Sequence, residues 1–375
     1  MPGMASRVTL RALAALAVVV VVAGCAASRP DPKPLEPLTP TISATLAWSQ
    51  RIDAVTFPLE VAVTPGAFTV ASTDGTVLAL DAGTGRELWR GTAGAKIGAG
   101  VGSDGRFAAV VTAEGELVVF EQGQVKWRKS LGMRVATAPL VAGERVFVLG
   151  VDRAVQAFDA IDGRKLWSLQ RPGDPLMLAQ SGVLAPFKNT LIAGQGPRMA
   201  GIDPLKGSVR WDVAVGSPRG ANEIERLADL VGPSVRIGDL VCARSFQAAV
   251  GCVNAERGAT VWSKNIGGTN AIGGDEAHVF AADASDRITA WNTPNGEIAW
   301  TSDKLLYRSL SAPLSFGSSV VFGDQDGMLH WLARDTGQAQ LRLTTDGGPI
   351  GVQPVRSDDT MLVVTRKGGL FAFRR

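Results

Sequence analysis

An eleven-residue phrase ending in tryptophan returns along this chain, and its spacing is the tightest constraint on the fold. ALDAGTGRELW ends at Trp89, AFDAIDGRKLW at Trp167, GIDPLKGSVRW at Trp211, CVNAERGATVW at Trp262 and AWNTPNGEIAW at Trp300. A copy shortened by two residues, VFEQGQVKW, ends at Trp127, and a worn copy, WLARDTGQAQL, puts Leu341 where the ring is expected. Successive ends lie 38 to 51 residues apart. A period of that size with strand-like content signals a propeller blade of four strands.

Each position in the phrase has a physical reason. The residues before it alternate or run apolar, as in TVLAL and RVFVLGV, which suits half-buried or fully buried strands. Asp81, Asp159, Asp203, Asn254 and Asn292 share one position, where a short side chain can accept backbone amides of a turn. Gly85, Gly163, Gly207, Gly258, Gly296 and Gly337 share another, where a turn needs positive φ. The closing ring stands on the outermost strand, where it can fill the wedge between neighbouring blades and bury roughly 150–250 Å². Trp48, Trp89, Trp127, Trp167, Trp211, Trp262 and Trp300 all take this place. Regular spacing around a ring assigns them to packing between blades; the functional alternative is a set of aromatic platforms for sugars.

The last copy, GGLFAFRR, supplies inner strands and stops before an outer one. Near the other end, TISATLAWSQRI (41–52) is an outer strand without inner ones. Joined, they complete one blade. Seven complete copies and this composite predict an all-β fold, an eight-bladed β-propeller of four-stranded antiparallel blades whose N-terminal strand completes the last blade. Such closure leaves no open sheet edge at the ends of the array.

The N-terminus reads as an address. Arg7 and Arg11 precede an unbroken apolar run, ALAALAVVVVVA, at 12–23. Twelve helical residues cover about 18 Å against a bilayer core of roughly 30 Å, so the run is a signal peptide and not a span. It ends in VAGC, which resembles the bacterial lipobox and implies cleavage before Cys25 and lipidation of that residue; the bland alternative is an ordinary secretory signal. Ala26, in place of an aspartate, favours the outer membrane. Residues 27–40 hold five prolines among polar residues and are expected to form an extended tether. The expected domains are 1–24, signal peptide; 25–40, lipidated cysteine and tether; 41–375, propeller.

A formal charge of +3, two charges of it in the signal segment, gives no general pull on nucleic acid. Two histidines, His278 and His330, leave no histidine-rich metal site. Asp324 and Asp326 in GDQDG resemble a calcium loop only weakly, and a strand turn with two acids is the plainer account. Cys242 and Cys252 are equidistant from Gln247. A hairpin turning there would set them opposite each other, for a disulfide in an exported protein or for two small buried thiols. The two longest intervals, Trp167 to Trp211 and Trp211 to Trp262, contain RPGDPLMLAQSGVLAP and VGSPRGANEIERLADLVGP. Both connect an outer strand to the next blade's inner strand, so they emerge on one face from neighbouring blades, where binding usually sits.

The phrase resembles the tryptophan-docking motif of quinoprotein propellers. With the lipobox, the proline tether and the length, the chain is similar to the BamB family, the propeller lipoproteins of the outer-membrane β-barrel assembly machinery. EIERLADL (223–230), LLYRSLSAPL (305–314) and FGDQDGMLHWL (322–332) carry the more specific likeness. The resemblance implies a non-catalytic scaffold without cofactor, on the periplasmic side of a Gram-negative outer membrane. It implies binding to the POTRA domains of BamA, with nascent outer-membrane proteins as further clients. The family's contact leucines match Leu176 and Leu178, and one contact acid matches Asp229. A family arginine is Ala179 here, and a second acid is Val231. Glu225, Arg226 and Asp229 would form a charged rim around the apolar anchors and set orientation. Two rival readings are a quinone-cofactor dehydrogenase, which needs paired calcium ligands and usually adjacent cysteines, and an envelope propeller that binds polysaccharide.

Overall fold

The apolar runs of each repeat become the second and third strands of a blade, and these strands are buried along almost their whole length, as in Phe107–Thr112. The computed structural model describes residues 30–171, 178–218 and 220–375. Of the first 32 residues only 30–32 are described, without regular secondary structure; Lys33–Arg375 form a unit of their own. Among the described residues every helix-or-strand element is a strand, and the strands make eight four-stranded sheets. In chain order the blades are 62–92, 97–130, 140–169, 184–214, 230–264, 273–302 and 314–344, and the eighth joins 355–374 to Thr45–Arg51. In seven blades, neighbours in sequence pair antiparallel, the meander expected of a propeller blade.

The eighth blade is the seam. Thr45–Arg51 lies antiparallel on Gly369–Arg374, from Thr45 opposite Arg374 to Arg51 opposite Gly369. Arg374 also donates from Nη2 to the Gly83 carbonyl at 2.6 Å, so the chain's last strand is tied to the first blade as well.

Every blade has a register shift where its third strand meets its fourth: between Ala79 and Leu80, Ala157 and Phe158, or Ala290 and Trp291, for example. A bulge adds local twist and re-aims the next side chain. Here that side chain is the repeat tryptophan. The indole Nε1 donates to a carbonyl in the next blade's outer turn: Trp48 to Ala82 at 2.9 Å, Trp127 to Ala160 at 2.8 Å, Trp167 to Pro204 at 3.0 Å, Trp262 to Thr293 at 2.8 Å and Trp300 to Arg334 at 2.8 Å. The ring lies over the turn glycine. A Cβ built on Gly163 would come within 2.7 Å of Trp127 Cδ2, and one on Gly296 within 2.6 Å of Trp262 Cδ2. The glycine therefore has two duties: it holds φ at +74° or +68° and it leaves room for the neighbour's indole.

Leu341, the worn copy, has a reason in this geometry. It belongs to the seventh blade, so its docking turn would be the one joining the third and fourth strands of the eighth. That turn does not exist, because those strands are the two ends of the propeller. Leu341 instead packs with Phe373 and Met361 and with Ile42 and Ala44, which lead into the seam strand.

The extended proline-rich stretch is seated on the propeller over its C-terminal part. From Lys33 onward it lies on the sixth and seventh blades. The Lys33 amide donates to the Leu306 carbonyl at 3.0 Å and the Thr41 amide to Gln340 at 2.9 Å. Leu35 packs against the cluster of Trp300, Leu305, Leu310 and Leu332. Lys304 Nζ reaches Glu36 Oε1 at 2.5 Å, and Arg308 Nη1 donates to the Lys33 carbonyl at 3.2 Å. Pro34, Pro37 and Pro40 have no amide hydrogen to give a ladder, so this stretch is a strap held at separate points and not a ninth set of strands.

Candidate partner-binding face

In a four-stranded meander, the turn from second to third strand opens on the same face as the link from the fourth strand to the next blade. The two long connections expected to carry binding therefore share a face with these turns. The first leaves the third blade after Leu169 and enters the fourth at Leu184; the second runs from Val215 to Asp229, between the fourth and fifth blades. Leu176 falls outside the described residues. Leu178 is half-buried, and its amide donates to Asp229 Oδ2 at 3.2 Å. The other oxygen of Asp229 accepts from Arg153 Nη2 at 3.3 Å. Asp229, placed on the rim by the sequence, is thus turned inward and ties the two connections together.

The second connection is stitched down at its C-terminal end and free at its crest. The Asp229 carbonyl accepts the Phe246 amide at 2.9 Å, the Ala228 carbonyl accepts Ser245 Oγ at 2.6 Å, and the Leu230 amide donates to Gly196 at 2.8 Å. At the crest, Glu225 caps its own turn by accepting the Ala221 amide on Oε2 at 2.7 Å, and Arg226 is exposed. Just before them, between Glu223 and Glu225, stands Ile224, 73% exposed, which the sequence reading did not single out. An apolar side chain held out on a capped turn between charges is a sound anchor for a docking surface.

At the base of the first connection, Arg171 and Arg198 both hold Asp212, Arg198 Nε to Oδ1 at 2.7 Å. Burial works against the charged carboxylate, but the two guanidinium groups outweigh it and keep Asp212 below the usual carboxylate range. Val231, where the family pattern has an acid, is 5% exposed and packs with Ala271 and Ala312. Its side chain lies among apolar neighbours, so a carboxylate there would be desolvated.

The ring surrounds an open cavity of about 620 Å³ lined by residues of several blades, among them Glu60, Gln180, Asn270, Gln353 and Arg366. Burial pushes the Glu60 carboxyl up to about 7. Among the described residues, no group of three or more His, Cys, Asp or Glu side chains is placed to hold a metal ion. Asp324 is fully buried and pairs with Arg308 Nε and His330 Nε2, both at 2.9 Å, while Asp326 takes Arg308 Nη2 at 2.8 Å. The GDQDG turn therefore supports the strap through Arg308. Cys242 and Cys252 face each other across adjacent strands of the fifth blade and are joined through their sulfurs.

Eight four-stranded blades, closed by the chain's own first strand and linked by indoles docked on neighbouring turns, define a β-propeller of the quinoprotein type. Its fold is shared with a quinohemoprotein alcohol dehydrogenase from Comamonas testosteroni, at a TM-score of 0.67 and 15% identity, over 88% of this chain and 76% of that one. The crystal structure of BamB from Moraxella catarrhalis superposes with a TM-score of 0.80 at 22% identity, covering 89% of this chain and all of that one. Residues 73–302 match the family model described as outer membrane protein assembly factor BamB. The chain is 32% identical over 373 residues to the outer membrane protein assembly factor BamB of Bordetella pertussis, with 97% of each covered. It is 31% identical to that of Burkholderia pseudomallei, over 96% of this chain and 97% of the relative. The chain belongs to the BamB family.

Proposed function

We propose that this protein is a scaffold lipoprotein of the outer-membrane β-barrel assembly complex, held on the periplasmic side by acylation of Cys25. It binds the POTRA domains of BamA and supports insertion of β-barrel proteins into the outer membrane. The observation that carries the reading is the pair of long connections on one face of a rigid ring, tied to each other through Asp229. A ring so tied offers a preformed surface, which lowers the ordering cost of association. Catalysis has no part in this reading: the relatives are named assembly factors, and the dehydrogenase shares the fold alone.

Leu176 and Leu178 supply the apolar centre of the contact, Ile224 adds to it, and Glu225 and Arg226 form its rim. Leu176→Asp with Leu178→Asp is expected to abolish co-purification with BamA from detergent-solubilised envelopes, with the melting temperature of the propeller unchanged. Normal binding by that folded double variant would move the interface to another face. Cys25→Ser is expected to leave an unacylated protein that no longer floats with outer membranes; acylated, membrane-bound material from this variant would remove the anchor.

A further inference from the structure

We propose that Arg153, 76 residues before Asp229 in the chain, is a positioning residue of this interface. The inference rests on the function proposed above and adds a residue and a device to it. Arg153 sits in the turn between the second and third strands of the third blade. In six blades that turn closes on a residue of positive φ with the same hydrogen bond, from its amide back to a carbonyl three residues earlier: Gly75 to Ser72, Gly115 to Thr112, Arg153 to Gly150, Asp286 to Asp283, Gly327 to Asp324 and Gly368 to Thr365; the fifth blade makes the bond from Ala248 to Ser245, with the positive φ on Gln247 instead. All six closing residues have positive φ, from 65° to 106°. Glycine adopts that conformation at no steric cost, and a residue with a Cβ does not. The two exceptions, Arg153 and Asp286, thus keep a side chain where the backbone disfavours one.

What those two side chains do is the same. The Asp286 carboxylate accepts the Ser309 and Leu310 amides at 2.8 and 3.0 Å, and so holds the link between the sixth and seventh blades. Arg153 holds two links at once: its guanidinium takes one oxygen of Asp229, and the other oxygen takes the Leu178 amide. The surroundings fit the task. Gln195 Nε2 donates to the Arg153 carbonyl at 3.3 Å, and a Cβ on Gly196 would meet the guanidinium carbon at 3.3 Å, so the lack of a side chain there leaves the guanidinium its place. Arg153 and Asp229 are only 13% and 17% exposed at the side chain, so solvent screens the pair weakly. The third blade thereby sets where Leu178 is presented, from beneath the two loops.

Arg153→Gly is the informative variant, because glycine suits the turn while removing the guanidinium. The full-length protein is expected to melt at an unchanged or higher temperature. The Leu178 amide should exchange its hydrogen faster, read by hydrogen–deuterium exchange on the protein alone. Affinity for BamA in detergent should fall about tenfold, within the range that contacting residues show. Adding Arg153→Gly to Asp229→Ala should cost little more, since Arg153 acts through Asp229, and Arg153→Lys should recover part of the affinity. Unchanged protection at Leu178 in Arg153→Gly would overturn the proposal, as would independent, multiplying losses from the two substitutions. If Leu176→Asp with Leu178→Asp leaves BamA binding intact, the interface reading fails, while the exchange at Leu178 still decides whether Arg153 positions the loop.

Discussion

Docking of each indole on the next blade implies that opposite substitutions at two positions of the repeat are both destabilising. Consider Trp262→Leu and Leu341→Trp. Trp262 is 7% exposed, its Nε1 donates to Thr293 at 2.8 Å, and its ring covers Gly296. A buried tryptophan removes roughly 150–250 Å² from water, worth about 4–6 kcal/mol at about 25 cal/mol per Å². Leucine retains about half, and the carbonyl left without its donor adds about 1 kcal/mol, so the loss is about 3 kcal/mol. At about 2.1 cal/mol/K per residue, cooperative unfolding of residues 41–375 has an entropy near 0.7 kcal/mol/K, which makes that loss about 4 °C in Tm. Leu341→Trp brings in a ring with no turn to receive it, among Phe373, Met361 and Ile42. Overpacking there is expected to destabilise by about 1–3 kcal/mol. Scanning calorimetry of both variants is the assay. A stabilised Leu341→Trp, or a Trp262→Leu that melts with the parent, would refute the docking account of the repeat.

Two further outcomes follow from groups set inside the ring. Cys242→Ala with Cys252→Ala opens a bridge of sequence separation 10, for which the chain-entropy model gives a loss of about 2–3 kcal/mol; mass spectrometry of non-reduced peptides from periplasmic protein checks the bond itself. Glu60, raised to about 7 by burial from an ordinary 4.5, ionises more readily in the unfolded chain than in the fold, so its contribution to stability falls as pH rises through that interval. Glu60→Gln should therefore leave Tm unchanged at pH 4 and raise it at pH 8, with a ceiling of about 3 kcal/mol; an equal effect at both pH values would show that the carboxyl titrates normally.

The ring was legible because each blade is written locally. Strand, turn, glycine and tryptophan recur within eleven residues, and the half-phrases at the two ends announced the seam. The second duty of the glycines was hidden, since the indole that covers Gly163 comes from Trp127, in the previous blade. The seat of the strap was hidden for a compositional reason: prolines rule out a strand, but they do not stop Leu35 from packing on blades far along the chain. The position of the two long connections followed from the intervals alone. The inward turn of Asp229 did not, because its partner is 76 residues away. One signal for that partner was present. VDRAV stands where other blades read TDGTV, AEGEL and QDGML, and an arginine in a glycine's place asks for a reason.

Seam and strap together decide how the ring bears a pull. The strand that closes the propeller is the first one in the chain, so tension entering from the N-terminal side is directed at the one joint where two chain ends meet. Before it arrives, it must part the strap at Lys33, Glu36 and Thr41, each held by its own contacts. These fastenings are in series with the seam, and they yield one after another, while the strand behind them is paired from Thr45 to Arg51 and pinned by Trp48 to the first blade. The strap works as strain relief works on a cable: a tug is spent on the sixth and seventh blades before it can open the circle.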